Sequence, residues 1–440
     1  MNSREIQLTD STDNHVLTNT HVWSHDGRWI YYDVRSSDDR FDGDRIERVD
    51  TQTSEVQVVF QSREGAKVGV VTACPTDGRI AFIHGPRRPS DGWRYSACHR
   101  RGIVMMPGLP GSAVNLDARN LIPPFTPGAL RGGSHVHVFS PDGRSISYTY
   151  EDHVLEIAND KGCERNQRNV GVSLPIGPIE VPRTHLRNHD GAFFSFLATR
   201  THDRPEPDSD QIGRAYEDAW LPTPERSSDA PGSSGAFTFI GDVLAEDGRT
   251  VPELFFCSLP ADCRVAGDGP LEGTSTTRPR PPRGTVQRRL TRTTDRRFPG
   301  LACDVRHWPR SSFDGRQIAF LMRDDSGVVQ LWIVSPDGEP PRQLTQGSVG
   351  VASSFSFRAD GRAIACVIGG AVCEVDTTTG AVTTLTDPDR QFPPHGTAVV
   401  YSPDGCYVAY TRPTGGRTNQ LAQVYVVSST RNQVPSSIVG

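Results

Sequence analysis

The stretch His135-Val-His-Val-Phe-Ser-Pro-Asp142-Gly143-Arg-Ser-Ile-Ser-Tyr-Thr-Tyr150 reads as a strand, a tight turn and a second strand. Asp-Gly between apolar runs is a strong hairpin signal, because Gly accepts the positive φ that tight turns need. The same device recurs at Asp26-Gly27, Asp77-Gly78, Asp190-Gly191, Asp314-Gly315, Asp360-Gly361 and Asp404-Gly405, about every 44–65 residues with one longer gap. A hairpin repeated at that period indicates a radial β-repeat.

The strand after each turn is β-rich, as in Trp29-Ile-Tyr-Tyr-Asp-Val34 and Gln317-Ile-Ala-Phe-Leu-Met322. Third strands follow at Val329–Val334 and Val424–Val427, and fourth strands close on Leu-Thr at Leu290-Thr291, Leu344-Thr345 and Leu385-Thr386. Four antiparallel strands per repeat make a propeller blade, so the expected fold is all-β: one β-propeller domain over residues 1–440, with seven blades favoured and eight left open by Asp247-Gly248. Arg4-Glu-Ile-Gln-Leu-Thr9 carries the fourth-strand signature ahead of any first strand, and the last repeat lacks one. The N-terminal segment is therefore expected to close the ring, which removes exposed sheet edges.

The spacing breaks between Asp190 and Asp314. Residues 203–235, rich in Pro, Ser, Asp and Glu, read as an insertion, and Asp210–Trp220 within it as a helix bounded by Pro207 and Pro222. Residues 265–284 read as a second, Pro/Gly/Arg-rich loop.

A net charge of −5 supplies no basic surface for nucleic acid or an anionic membrane. The nine cysteines are scattered without a C-x-x-C pair, which supports neither a zinc ribbon nor a redox dithiol. No apolar run approaches the length of a membrane span, and the first residues have no apolar leader, so a cytoplasmic location is expected. No G-x-S-x-G elbow, Walker loop or dinucleotide fingerprint is present.

Inner strands of a propeller line its channel, so residues at one offset from the turn should form a ring. His135, His137, His185, His307 and Arg183 then fall in one sector, and His135 and His137, two apart on a strand, share a face. Such a cluster can bind a divalent first-row metal. Arg131-Gly-Gly-Ser134 precedes the pair, with glycines that allow close backbone approach to a ligand. Arg306 and Trp308 flank His307 and suit carboxylates and sugar faces. Tyr216 and Glu217, on the expected helix, are candidates for a lid, and His395 could reach over the mouth. For each His taken singly, the simpler role is a hydrogen bond to backbone or water at the rim.

Asn14-His-Val-Leu-Thr-Asn-Thr20, Phe82-Ile-His-Gly-Pro86, Thr126–Pro141, Gln287-Arg-Arg-Leu-Thr-Arg292 and Ala319-Phe-Leu-Met-Arg-Asp-Asp325 resemble the YidR-type family. That family is similar to TolB-type propellers and, more remotely, to oligogalacturonate lyases. In the lyases a His-x-His before a Ser/Thr-Pro-Asp turn holds manganese. The resemblance thus implies His135, His137 and His307 as metal ligands, with His185 a further analogue, while the lyases' Gln three residues before the pair is Gly132 here. The enzyme reading is a metal-dependent β-eliminating lyase on an acidic saccharide, with His185 or Arg183 taking the proton, Arg306 assisting, and Arg131, Trp308, Tyr216, Glu217 and His395 as the candidates for contacting substrate. The alternative is a TolB-like scaffold that recruits a protein partner.

Overall fold

Six of the seven Asp-Gly turns join the first and second strands of a blade, and they are built alike. In each the Asp side chain accepts from the amide two residues on, as at Arg28 (3.1 Å), Arg79 (2.9 Å), Arg144 (3.1 Å) and Cys406 (2.9 Å). Gly27, Gly143, Gly315, Gly361 and Gly405 sit near φ +71°, the conformation this turn requires. The computed structural model describes residues 5–158, 162–222, 235–414 and 421–432.

These hairpins belong to seven four-stranded antiparallel sheets arranged as a seven-bladed β-propeller. In order from the inner strand outward, blade one is His15–Val16, Trp29–Val34, Arg45–Asp50 and Val56–Gln61, and blade two is Val68–Ala73, Ile80–His84, Arg101–Met105 and Val114–Asn115. Blade three is Gly132–Phe139, Ile146–Asp152, Asn169–Leu174 and Phe194–Leu197, and blade four is Ile212–Leu221, Ala236–Leu244, Thr250–Ser258 and Val286–Arg289. Blade five begins at Arg310–Ser311, blade six at Ser356–Phe357 and blade seven at Val399–Tyr401. Apolar clusters between adjacent blades form the core, for example Val138, Val172, Phe196, Trp220 and Phe239 between blades three and four. Among the described residues no helix is long and apolar enough to cross a membrane.

The ring closes as the sequence implies. Glu5–Gln7 pairs antiparallel with the third strand of blade seven, Ile6 opposite Val426. The Leu-Thr signature has a physical cause: where the outer strand ends, the Thr hydroxyl takes over as acceptor for the third strand's amide. Thr291 accepts from Leu254 N (2.9 Å), Thr345 from Leu331 N (3.0 Å), Thr386 from Val372 N (3.0 Å) and Thr9 from Val424 N (2.9 Å). In blade three Thr199 does the same for Val170 N (2.9 Å), one residue later than the Leu-Thr pattern.

Blade four departs from the sequence reading. Asp190-Gly191 is not an inner hairpin; it lies on the connection leading to the outer strand of blade three. Asp247-Gly248 joins the second and third strands of blade four and marks no eighth blade. The expected helix is instead the inner strand Ile212–Leu221. Two bulges, between Ile212 and Ala215 and between Tyr216 and Ala219, each add a residue. They turn a period of two into buried positions at 212, 215 and 219, a spacing that mimics one helical face. The loop 265–284 packs onto blade three through Arg278, whose guanidinium pairs with Asp203 at 2.5 Å.

Candidate functional site

Inner strands of blades two, three and four each carry a bulge with a non-glycine residue in the left-handed region: Val70 (φ +57°), Val136 (φ +56°) and Glu217 (φ +54°). This conformation is rare for β-branched residues, and the bulges re-aim the side chains around them.

At Val136 the bulge shifts the pairing from His135–Thr149 to Val138–Ser147. The alternation that would put His135 and His137 on one face is lost. The His137 ring packs against Gly102 of blade two and bonds through Nε2 to Ser134 Oγ (3.0 Å). His135 Nδ1 is buried without a partner. His307 is held by backbone: Nδ1 donates to Val305 O (2.8 Å) and Nε2 accepts from Leu321 N (3.2 Å). That network fixes the neutral tautomer and occupies the lone pair a metal would use. Among the described residues no three His, Cys, Asp or Glu side chains converge to hold a metal ion. His307 therefore does not fit the metal set that the resemblance implied, while His137 Nδ1, like His135 Nδ1, is buried without a partner.

Other expected residues are also placed elsewhere. Arg183 pairs with Asp190, and His185 accepts from Arg187 N (3.1 Å), both on the blade-three connection rather than an inner strand. Arg131 is buried and satisfied, donating to Asp152 Oδ2 (2.7 Å) and to the carbonyls of Thr274 and Thr277, so it anchors the 265–284 loop instead of meeting a ligand. Gly132 and Gly133 belong to the blade-three inner strand; the backbone they approach closely is that of Glu151 and Ala97. Tyr216 donates to Asp242 Oδ1 (2.8 Å) from a strand, not from a lid. Trp308 is buried in the core between blades three and four, and His395 opens blade seven with its amide on Thr411 O (2.8 Å).

What the fold does bring together is Glu217, Arg306 and His135. Arg306 Nε lies 3.5 Å from Glu217 Oε1, with the guanidinium side chain 69% exposed and the carboxylate 15% exposed. The guanidinium also sits over the Trp308 ring, 4.7 Å from its centroid. Burial pushes the Glu217 carboxyl up to about 7, against the pull of Arg306 and Arg168. Burial, with the charges of Arg100 and Arg168 and then His137 and Arg306, holds His135 well below the usual imidazole range. Arg168 is brought near by the inner strand of blade four, whose Ala215 N donates to its carbonyl (3.0 Å). Next to Glu217, burial pushes Asp218 up to about 6, and neither of its oxygens is hydrogen-bonded. Ser147 and Arg310 lie close enough to favour its charged form, though the Ser147 hydroxyl donates to Val138 O (3.4 Å). The cluster sets the charges of Arg306, Arg168 and Arg100 around a mostly buried carboxyl held above the usual carboxylate range.

Over 407 residues, 92% of this chain and 94% of the relative, the sequence is 44% identical to the uncharacterized protein YidR of Escherichia coli (strain K12). The chain is a member of the YidR family. A family model described as a protein of unknown function (DUF3748) matches residues 67–189, a span that runs from the inner strand of blade two through His135 and His137 to the blade-three connection. Among solved structures, an oligogalacturonate lyase in complex with manganese is similar over 97% of this chain and 93% of that one, with 11% identity and a TM-score of 0.56. TolB from Acinetobacter baumannii is similar over 77% of this chain and 61% of that one, with 15% identity and a TM-score of 0.35. The lyase likeness concerns the fold.

Arg100, Arg168 and Asp218 were not singled out by sequence. The adjacent acids Glu217-Asp218 inside an apolar run were the available signal, hidden by the helical spacing of their strand. The two arginines come from other strands and had none.

Proposed function

We propose that this protein is a β-eliminating lyase acting on an acidic, uronate-type oligosaccharide at the channel mouth where the inner strands begin. The observation that carries this reading is the contact between exposed Arg306 and mostly buried Glu217, whose carboxyl titrates near 7. A guanidinium matches a carboxylate in geometry and charge, and holding the uronate carboxylate there acidifies the neighbouring C–H. Glu217, ionised, takes that proton; the C–H electron pair becomes the ring double bond, and the C–O bond to the leaving sugar breaks with its oxygen taking a proton from water. A carboxylate with a raised pKa is a stronger base than an exposed one at the same pH. Neutral His135, under the charges of Arg100 and Arg168, is a hydrogen-bond acceptor for substrate hydroxyls. No step is assigned to a metal ion, because His307 Nε2 already accepts a backbone amide. A cytoplasmic setting, where imported oligosaccharides are shortened, belongs to the same reading.

The test is incubation with oligogalacturonates while following the ultraviolet absorbance of the conjugated unsaturated product. Product formation by the wild type, a kcat loss of at least about a hundredfold in Glu217→Gln and a mainly KM effect in Arg306→Met support it. Absence of unsaturated product from the folded wild type, with or without added divalent metal, overturns it and favours the protein-recruiting scaffold.

A further inference from the structure

Toward the turn end of the inner strands, residues from all seven blades surround a cavity of about 500 Å³. Its wall includes Trp23, Phe139, Trp220, Phe357 and Tyr401. Two of these rings are fixed by the neighbouring blade: Trp23 Nε1 donates to Val400 O (3.0 Å) and Trp220 Nε1 to Val138 O (3.0 Å). Indoles pinned this way present a preformed apolar surface rather than one that must collapse around a guest.

One cation lines this apolar chamber away from its rim. Arg310, 8% exposed, comes from the inner strand of blade five and reaches across the channel to blade one, where Nη2 donates to Asn19 O (3.1 Å). Its other hydrogen bond goes to Pro309 O (3.4 Å); the Asp218 and Glu217 carboxyls favour its charged form from farther off, but among the described residues no carboxylate lies within ion-pair distance of it. His21, also lining the cavity, has a buried Nδ1 without a partner. A buried guanidinium served only by backbone carbonyls is costly, and buried polar atoms are normally satisfied. Both facts mark a place where a ligand supplies a directly bonded anion.

We propose that the cavity binds a small amphipathic carboxylate, its anionic group paired with Arg310 and its apolar body held among Trp23, Phe139, Trp220, Phe357 and Tyr401. The volume suits a one- or two-ring molecule and not a polymer chain, since ligand pockets of this kind run from about 300 to 1,000 Å³. The cavity lining includes neither Glu217 nor Arg306, and although Arg310 feels the Glu217 charge, naphthoate binding is read without any turnover there.

The test uses the full chain with 1-naphthoate as probe and the uncharged 1-naphthalenemethanol as its control, by calorimetry together with quenching of tryptophan fluorescence. Expected are one saturable site for naphthoate, at least about tenfold weaker binding of the alcohol, and at least about tenfold weaker naphthoate binding in Arg310→Met. Phe313→Asp, at a rim position 60% exposed, should also weaken naphthoate by placing a like charge at the entrance, and it keeps the test decisive should Arg310→Met fail to fold. Equal affinity for acid and alcohol, or naphthoate binding unchanged in Phe313→Asp, overturns the proposal.

Discussion

Arg306, on the segment leading into blade five, reaches Glu217 on the inner strand of blade four, Nε to Oε1 at 3.5 Å, and so joins two blades. Arg306 favours the ionised form of Glu217, while burial opposes it. Arg306→Met should therefore move the Glu217 protonation midpoint upward from about 7. A carboxyl-carbon NMR titration of the two proteins measures the shift, and a downward or absent shift would show that the pair is not coupled.

Glu217 also sets a pH dependence of stability. Its folded pKa, about 7, lies above the ordinary 4.5, so the folded state binds more protons between those values. The contribution is fully present below pH 4.5 and is lost as pH rises through 7, by up to about 3 kcal/mol. Asp218, raised to about 6, acts in the same direction. Urea unfolding from pH 5 to 8 should show Glu217→Gln gaining on the wild type as pH rises.

His307 has the opposite sign. Burial lowers its folded pKa to about 4, so its contribution is present above about pH 6.5 and is lost as pH falls through 4. Replacing it by Ala leaves Val305 O and Leu321 N without their partner and should cost about 2–4 kcal/mol at neutral pH. Denaturation midpoints of His307→Ala against wild type at pH 7.5 test this, with a change below about 0.5 kcal/mol counting against a structural role.

The glycines before the His pair should tolerate no side chain. A Cβ on Gly132 would lie 2.0 Å from Glu151 O, and one on Gly133 would lie 2.0 Å from Ala97 O, both backbone atoms that cannot rotate away. Either Ala substitution should destabilise by more than about 2 kcal/mol. Thermal melts would expose a misreading here if both variants melted with the wild type.

Ring closure predicts a consequence for the N-terminus. Glu5 accepts from Arg412 (2.8 Å) and Tyr410, Leu8 is buried, and Thr9 serves Val424 N. Removing residues through Thr9 should uncover the edge of Ala422–Ser428 and promote association through it. Leu8→Ala alone should cost about 2–4 kcal/mol. Light scattering after size-exclusion chromatography reads the first effect and urea midpoints the second.

The sequence determined the blade: Asp-Gly for the turn, β-branched and aromatic runs for the strands, Leu-Thr for the outer edge. These signals are local, acting within a few residues, and so they survive without knowledge of neighbours. The closing strand at Glu5–Gln7 was legible for the same reason, because Leu8-Thr9 repeats the edge signature. Blade four was not legible, because two bulges gave its inner strand a helix-like spacing. Only the tertiary structure decided the site. A one-residue bulge at Val136 undid the shared face of His135 and His137, and backbone partners claimed both nitrogens of His307. Glu217, Arg306, Arg168 and Arg100 act together through charges contributed by blades two to five, and the burial that shifts a pKa is a property of the packed ring. No local stretch of sequence carries either quantity.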